Sequence, residues 1–277
     1  MRVVVASPGQ GADLATPEVR TLALLPAAAR LLECCSDLLG IDVRRALGRA
    51  EPSLERTEVQ QPVIVALSLA AWETVALRQP QAPAAVVGHS LGELTAVTLA
   101  GALSAESAVA LAVERGLRCA AHARQTPGGM IAVSREPVRW PGGVHGAGRL
   151  SPDLWVASFL DDARERALAI PTARPIRVDG PWHHPVCASL AETLEPLIRA
   201  AIRPGPLDCP WVSTLDAMEV TDSADVPRRL ALAIARPTRL FDALQGAAQR
   251  GRVMVLEPCR PLGGIVRLAT RDDAHVA

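Results

Sequence analysis

The stretch Ala84-Ala85-Val86-Val87-Gly88-His89-Ser90-Leu91-Gly92-Glu93 decides how this 277-residue chain is read. A short apolar run ends in Gly-x-Ser-x-Gly and passes directly into Leu94-Thr95-Ala96-Val97, a segment compatible with a helix. Glycine at both flanks permits a tight strand-to-helix corner, because backbones can approach there without Cβ clashes. Such a corner lifts the serine hydroxyl out of the fold and points backbone N–H groups at whatever it attacks. Ser90 is therefore the candidate nucleophile, and the rest of the chain is read against it.

Composition bounds the class. Hydrophobic residues make up 49% of the chain, enough for a sizeable core. At this length, one large α/β domain with an insertion fits as well as two equal domains. Lys+Arg and Asp+Glu balance at 29 each, so nothing electrostatic calls for nucleic acid or an anionic membrane. No apolar run approaches the roughly 20 residues that span a bilayer. Met1-Arg2-Val3-Val4-Val5-Ala6, cut short by Pro8-Gly9, is expected to be a first strand rather than a signal peptide. A cytoplasmic protein is expected. Cys34, Cys35, Cys119, Cys187, Cys209 and Cys259 contain no C-x-x-C pair, so reduced thiols are expected and no metal site.

Along the chain, Ser7-Pro8-Gly9-Gln10-Gly11 is a Gly-flanked loop, either a plain turn or an anion-facing one. Helical spacing from Pro26 to Leu39, with Gly40 following, predicts a helix. Leu54 to Val59 reads as a polar loop, and Pro62 to Leu77 as a buried helix with proline in its first turn. Ser104 is the expected N-cap of a helix continuing through Arg115. Beyond Thr126 the texture changes. Met130–Val133 and Leu154–Ala157 read as strands separated by a Pro/Gly-rich loop from Pro137 to Gly148. A short helix from Asp161 to Ala169 and a strand from Pro175 to Asp179 follow. This small β-rich insertion closes at Trp182-His183. Helices at Val186–Ala201, Arg228–Ala235 and Leu240–Ala248, and strands at Pro210–Leu215 and Val253–Leu256, return to the larger body.

A serine nucleophile needs a base. His89 lies inside the corner, His122 trails a helix, His145 sits in a Gly-rich loop and His275 in a tail expected to fray. His183 and His184 lie where the insertion returns, a natural place for a base, although ordinary core or surface histidines fit that position too. Arg115 follows an apolar stretch. It can either pair with Glu114 or Glu93 at a helix end or grip an anionic group bidentately, and periodicity leaves both open.

Ser7-Pro8-Gly9-Gln10-Gly11, Gln61-Pro62, Gly88-His89-Ser90-Leu91-Gly92-Glu93, Arg115-Gly116, Gly128-Gly129-Met130-Ile131-Ala132-Val133 and Gly180-Pro181-Trp182-His183 occur in that order, with Ala235-Arg236-Pro237-Thr238-Arg239 beyond them. Together they resemble the malonyl-CoA:acyl carrier protein transacylase family, which includes the acyltransferase domains of polyketide synthases. The resemblance covers nearly the whole chain. It implies an α/β fold: an α/β-hydrolase-like large subdomain (1–127 and 185–277) with an inserted, shortened ferredoxin-like subdomain (128–184). It implies Ser90 as the acylated residue and His183 as its base, oriented by a backbone carbonyl rather than a carboxylate. The backbone amides of Gln10 and Leu91 would form the oxyanion hole, and Arg115 would hold the free carboxylate of a malonyl group. Gln61, His89 and Trp182, the last in place of the family's phenylalanine, would line the acyl site. Malonyl-CoA and an acyl carrier protein are the implied partners of a monomeric enzyme that needs no metal or redox cofactor. Hydrolysis of carrier-bound thioesters, transfer of a non-malonyl acyl group and a non-catalytic carrier-docking role are the rival readings. Arg228, Arg229, Arg236 and Arg239 are candidate carrier contacts, and Arg164 is an alternative carboxylate ligand.

The chain departs from the family's pattern around the insertion. The stretch between Met130 and His183 is shorter. Ser158-Phe159-Leu160-Asp161-Asp162 replaces an Asn-Ser-Pro segment. His184-Pro185-Val186-Cys187 stands where Ser-Pro-x-Met is usual, and Glu257-Pro258-Cys259-Arg260-Pro261 replaces Glu-x-Gly-Pro.

Overall fold

The computed structural model describes residues 2–78, 81–258, 262–270 and 275–276; Cys259, Arg260 and Pro261 of the altered loop lie outside them. In chain order, β1 (Val3–Ser7) leads through α1 (Pro17–Leu22), α2 (Pro26–Leu39), α3 (Val43–Arg49) and α4 (Thr57–Ala76) to β2 (Ala85–Gly88). Then come α5 (Gly92–Leu99), α6 (Ala105–Gln125), β3 (Gly128–Val133), β4 (Val144–Ser151), β5 (Leu154–Leu160), α7 (Arg164–Leu168) and β6 (Arg174–Ile176). Next are α8 (Ala188–Ala201), β7 (Pro206–Val212), β8 (Glu219–Asp222), α9 (Val226–Ala233) and α10 (Leu240–Ala248). The chain closes with β9 (Arg252–Val255), α11 (Leu262–Thr270) and β10 (His275–Val276).

One sheet has the order β10-β9-β1-β2-β7-β8, parallel except for the β7–β8 pair at its edge. Its inner strands are apolar on both faces: Val4, Val5, Val86, Val87 and Trp211 are essentially inaccessible, as expected of a parallel sheet covered by helices. β1 and β2 run in register, with Ser7 opposite Gly88. The loop carrying Gln10 and the corner carrying Ser90 therefore leave the carboxyl ends of adjacent strands, where open α/β sheets bind ligands.

α4 corrects two sequence expectations. It is twenty residues long and apolar enough to cross a bilayer, yet every side chain from Thr57 to Ala71 is buried inside the fold. It also starts at Thr57, so Pro62 lies within the helix rather than in its first turn. The polar lead-in that suggested a loop is helical because Thr57, Glu58, Gln60 and Gln61 are buried against neighbouring segments. Gly116 of α6 makes room for this turn, since a Cβ there would lie 2.9 Å from the Glu58 Cα.

The second sheet, β4-β5-β3-β6, is antiparallel throughout. Its strands alternate cleanly: Ile131, Val133, Ala157 and Phe159 pack in a separate small core with Ala163 and Ala167 at α7. Met130, Ala132 and Val156 face the large body instead. α7 is the single α-helix between these strands, and β3 reaches β4 by a loop. The Pro/Gly run expected to be all loop turns into β4 at Val144, with bulges near Gly146 and Gly148. α3, β8 and β10 were likewise unforeseen. His275, expected in a frayed tail, pairs opposite Met254 in β10.

Candidate active site

At the corner between β2 and α5, Ser90 adopts φ +53, a left-handed conformation costly for a residue with a Cβ. The surroundings enforce it. A Cβ on Gly88 would lie 2.1 Å from the Glu93 nitrogen, and one on Gly92 would lie 2.3 Å from the Ser7 carbonyl oxygen. A Cβ on Gly9 would likewise lie 2.4 Å from the His89 carbonyl oxygen. The His89 N–H donates to the Ser7 carbonyl at 2.9 Å, and the Gly92 N–H to the His89 carbonyl at 2.9 Å. Among the described residues, the Gln10 and Leu91 amides have no protein acceptor, and both residues border the space beside Ser90.

His183 Nε2 lies 3.0 Å from Ser90 Oγ. Its Nδ1 lies 2.6 Å from the Ala233 carbonyl oxygen, and its backbone N–H donates to the Ile234 carbonyl at 2.7 Å. A carbonyl only accepts, so Nδ1 carries the proton and Nε2 presents its lone pair to the serine hydroxyl. Like Ser90, His183 has positive φ, +61. Burial, with Arg115 nearby, pushes its pKa down to about 4 against the opposing pull of the Ala233 and Arg236 carbonyls. The imidazole is thus held neutral, the form a general base requires.

Arg115 reaches the same space from α6. Its Nη1 donates to Gln61 Oε1 at 2.6 Å, and Gln61 Nε2 donates to Gln10 Oε1 at 3.3 Å. Gln10 Nε2 in turn donates to Thr57 Oγ1, and the Gly11 N–H to Gln60 Oε1 at 3.0 Å. The residues that hold the Gln10 loop are therefore the buried polar side chains of the first turns of α4. Among the described residues no carboxylate comes within ion-pair range of Arg115; Glu114 pairs with Arg118 instead, at 3.5 Å. Glu93 lies behind the serine, taking the Thr214 N–H at 2.7 Å, and burial raises its carboxyl to about 7.

A cavity of about 240 Å³ opens over Ser90, and all eight site residues expected from the sequence line it: Gln10, Gln61, His89, Ser90, Leu91, Arg115, Trp182 and His183. Its upper wall is apolar, formed by Met130, Ala132, Leu154 and Val156 of the small sheet with Ile176 and Val178. A recess of only about 10 Å³ lies on the other side of Ser90 and Arg115, against Leu111 and Leu194.

Other candidates fall away. His184 Nδ1 accepts the Val186 N–H at 3.0 Å, and its ring packs edge-on against His145 at 4.2 Å. Arg164 is bound to Asp161 at 2.6 Å and lies outside the cavity. Among the described residues, no three His, Cys, Asp or Glu side chains gather as metal ligands. Sequence reasoning missed Thr57, Gln60 and Asp179. For Thr57 and Gln60 the signal was a cluster of polar residues directly before an all-apolar stretch; nothing in the sequence pointed to Asp179.

The acyl transferase domain family matches residues 9–254. The chain belongs to that family. It is 30% identical over 269 residues to the malonyl CoA-acyl carrier protein transacylase of Mycolicibacterium smegmatis, covering 90% of each. It is also 30% identical over 275 residues to erythronolide synthase EryA2 of Saccharopolyspora erythraea, covering 90% of this chain and 7% of that one. The acyltransferase superposes on the crystal structure of malonyl-CoA:acyl carrier protein transacylase from Xanthomonas oryzae with a TM-score of 0.85. Sequence identity there is 26%, over all of this chain and 94% of the other. The α/β architecture with its small second sheet is thus that of the transacylases.

Proposed function

We propose that this acyltransferase moves a malonyl group from coenzyme A to the phosphopantetheine thiol of an acyl carrier protein through an ester on Ser90. One observation carries the reading. The Ser90–His183 pair opens into a cavity whose cationic wall, Arg115, has no carboxylate of the described residues within ion-pair range. A buried anionic acyl group needs such a cation to offset its desolvation.

In the first half-reaction, Ser90 Oγ attacks the thioester carbonyl carbon as its proton passes to His183 Nε2. The tetrahedral oxyanion accepts from the Gln10 and Leu91 amides, donors of a kind worth about 3–4 kcal/mol each. The C–S bond breaks and His183 returns the proton to the departing thiolate. In the second half-reaction, the carrier thiol gives its proton to His183, sulfur attacks the acyl carbon, the C–O bond breaks and Ser90 is reprotonated. The two halves balance on the protein's own groups, and we propose that no metal or redox cofactor takes part.

The carrier is expected to approach past α9. There Arg228 and Arg236 are exposed, whereas Arg229 is engaged by Asp216 at 2.5 Å and Arg239 by Asp242 at 2.7 Å. Incubation with malonyl-CoA should leave a malonyl adduct, seen by intact mass and absent in Ser90→Ala. Carrier protein should then discharge it as malonyl-carrier. Release of free malonate at the same rate with or without carrier would replace transfer by hydrolysis.

A further inference from the structure

The segment that delivers His183 is tied to the oxyanion side of the site by one carboxylate. Asp179 Oδ2, just before His183 in the chain, accepts the Thr57 backbone N–H at 3.1 Å across 122 residues of sequence. Thr57 opens α4, so this N–H is one of the first-turn donors that a helix cannot satisfy internally. The preceding residue, Arg56, makes no side-chain capping bond. Asp179 takes that place from the small-subdomain side, with a negative charge at the positive end of a twenty-residue helix.

Thr57 is wholly buried, and its hydroxyl accepts from Gln10 Nε2. One turn further, Gln61 Nε2 donates to Gln10 Oε1. We propose that Asp179 is a positioning residue for the oxyanion donor. By capping Thr57 it locks the first turn of α4, and with it the Gln10 loop, in place relative to His183. The proposal rests on the transfer reading above. His183 has its own anchors in the Ala233 and Ile234 carbonyls. Loss of Asp179 therefore leaves the base in place and frees the opposite side of the transition state.

The test measures the rate of Ser90 acylation by malonyl-CoA in rapid-quench experiments. Asp179→Ala should lower the maximal rate about tenfold, the worth of one net hydrogen bond. The KM for malonyl-CoA should stay within about twofold, because an interaction realised in the transition state acts on the rate rather than on ground-state binding. Asp179→Asn keeps an acceptor oxygen and should recover most of the rate. Thr57→Val keeps the N–H but removes the hydroxyl that holds Gln10, so it should slow acylation alone. Combined with Asp179→Ala it should do no more than the worse single change, since both act through one path. Wild-type rate in Asp179→Ala, failure of Asn to rescue, or multiplied losses in the double variant would each overturn the proposal. If Asp179→Ala does not fold, Thr57→Val decides alone: an unchanged rate, or a loss carried by KM, overturns it.

Every variant is also assayed with p-nitrophenyl acetate, which needs Ser90, His183 and the oxyanion hole but neither the carboxylate site nor a carrier. Reaction of wild type with this ester but not with malonyl-CoA would sink the transfer reading. The same Asp179 comparison would then be read on the ester.

Discussion

Beneath the cavity backbone meets backbone, with hypothetical Cβ atoms at Gly88 and Gly92 only 2.1 and 2.3 Å from main-chain atoms. Above it, the small sheet presents Met130, Ala132, Leu154 and Val156, side chains with no hydrogen bond to make. The floor tolerates no added atom, because a rigid parallel sheet and a strained corner share every contact. The roof is ordinary apolar packing, where volume can be exchanged at modest cost. On the proposed function, chemistry belongs to the floor and acyl selection to the roof.

The hardest blow to this contrast is Gly92→Ala. Its methyl must displace the Ser7 and Pro8 carbonyls, for which no side-chain movement compensates. The expected cost is about 3 kcal/mol or more, at the upper end of overpacking effects. Adduct formation should fall to background, and urea midpoint and intact mass read the two losses together. A folded, reactive Gly92→Ala enzyme would mean that the floor has slack.

Next comes His183→Ala, expected to slow acylation by about 10²–10⁴-fold, the range of a positioned general base. Its depressed pKa sharpens the test. Neutral imidazole is the working form, so wild-type acylation should persist as pH falls and fail only near pH 4, where His183 takes up its proton. A limb near pH 6.5 would show a solvated base instead. The unfolded chain protonates its histidine first, so this group's contribution is lost as pH drops from 6.5 towards 4. Glu93, raised to about 7, acts oppositely: its contribution is lost as pH climbs from 4.5 towards 7.

Arg115→Ala probes the junction of floor and roof. A charge-assisted hydrogen bond is worth about 1.5–3 kcal/mol, so malonyl preference over acetyl should fall by about 10- to 100-fold. Acetyl transfer itself should change little. Malonyl preference that survives the substitution would place the carboxylate elsewhere in the cavity.

The same division governs what could be read from the chain. The floor was legible because backbone proximity demands glycine: Gly88 and Gly92 mark where atoms cannot fit, whereas the loop at Gly9 read equally well as a plain turn. His183 and Arg115 were separable from their rivals only by resemblance, since periodicity does not say which histidine turns inward. Thr57 and Gln60 were missed because buried polar residues that hold a loop look, in sequence, like a loop; Asp179, an exposed carboxylate, looks like any surface charge. The helix start at Thr57 is held by partners 47 and 122 residues away. β4 was hidden by its glycines. Gly146 is needed because Trp140 packs on it, with a Cβ there 2.8 Å from the indole nitrogen.

The gentlest change tests the roof. Val156 is 5% exposed and lines the cavity on β5, opposite Ala132 of β3. Val156→Ala removes two methylene-sized groups at about 0.8 kcal/mol each, so about 1.5 kcal/mol of stability should be lost. The malonyl acylation rate should change less than about threefold, because no hydrogen bond, charge or strained backbone is touched. The added space should instead favour bulkier acyl groups, read as a rise in the relative rate of a branched or longer acyl-CoA. If Val156→Ala stops malonyl acylation as completely as Gly92→Ala, the roof holds the reacting geometry too. The small sheet would then be part of the catalytic frame rather than a selector laid over it.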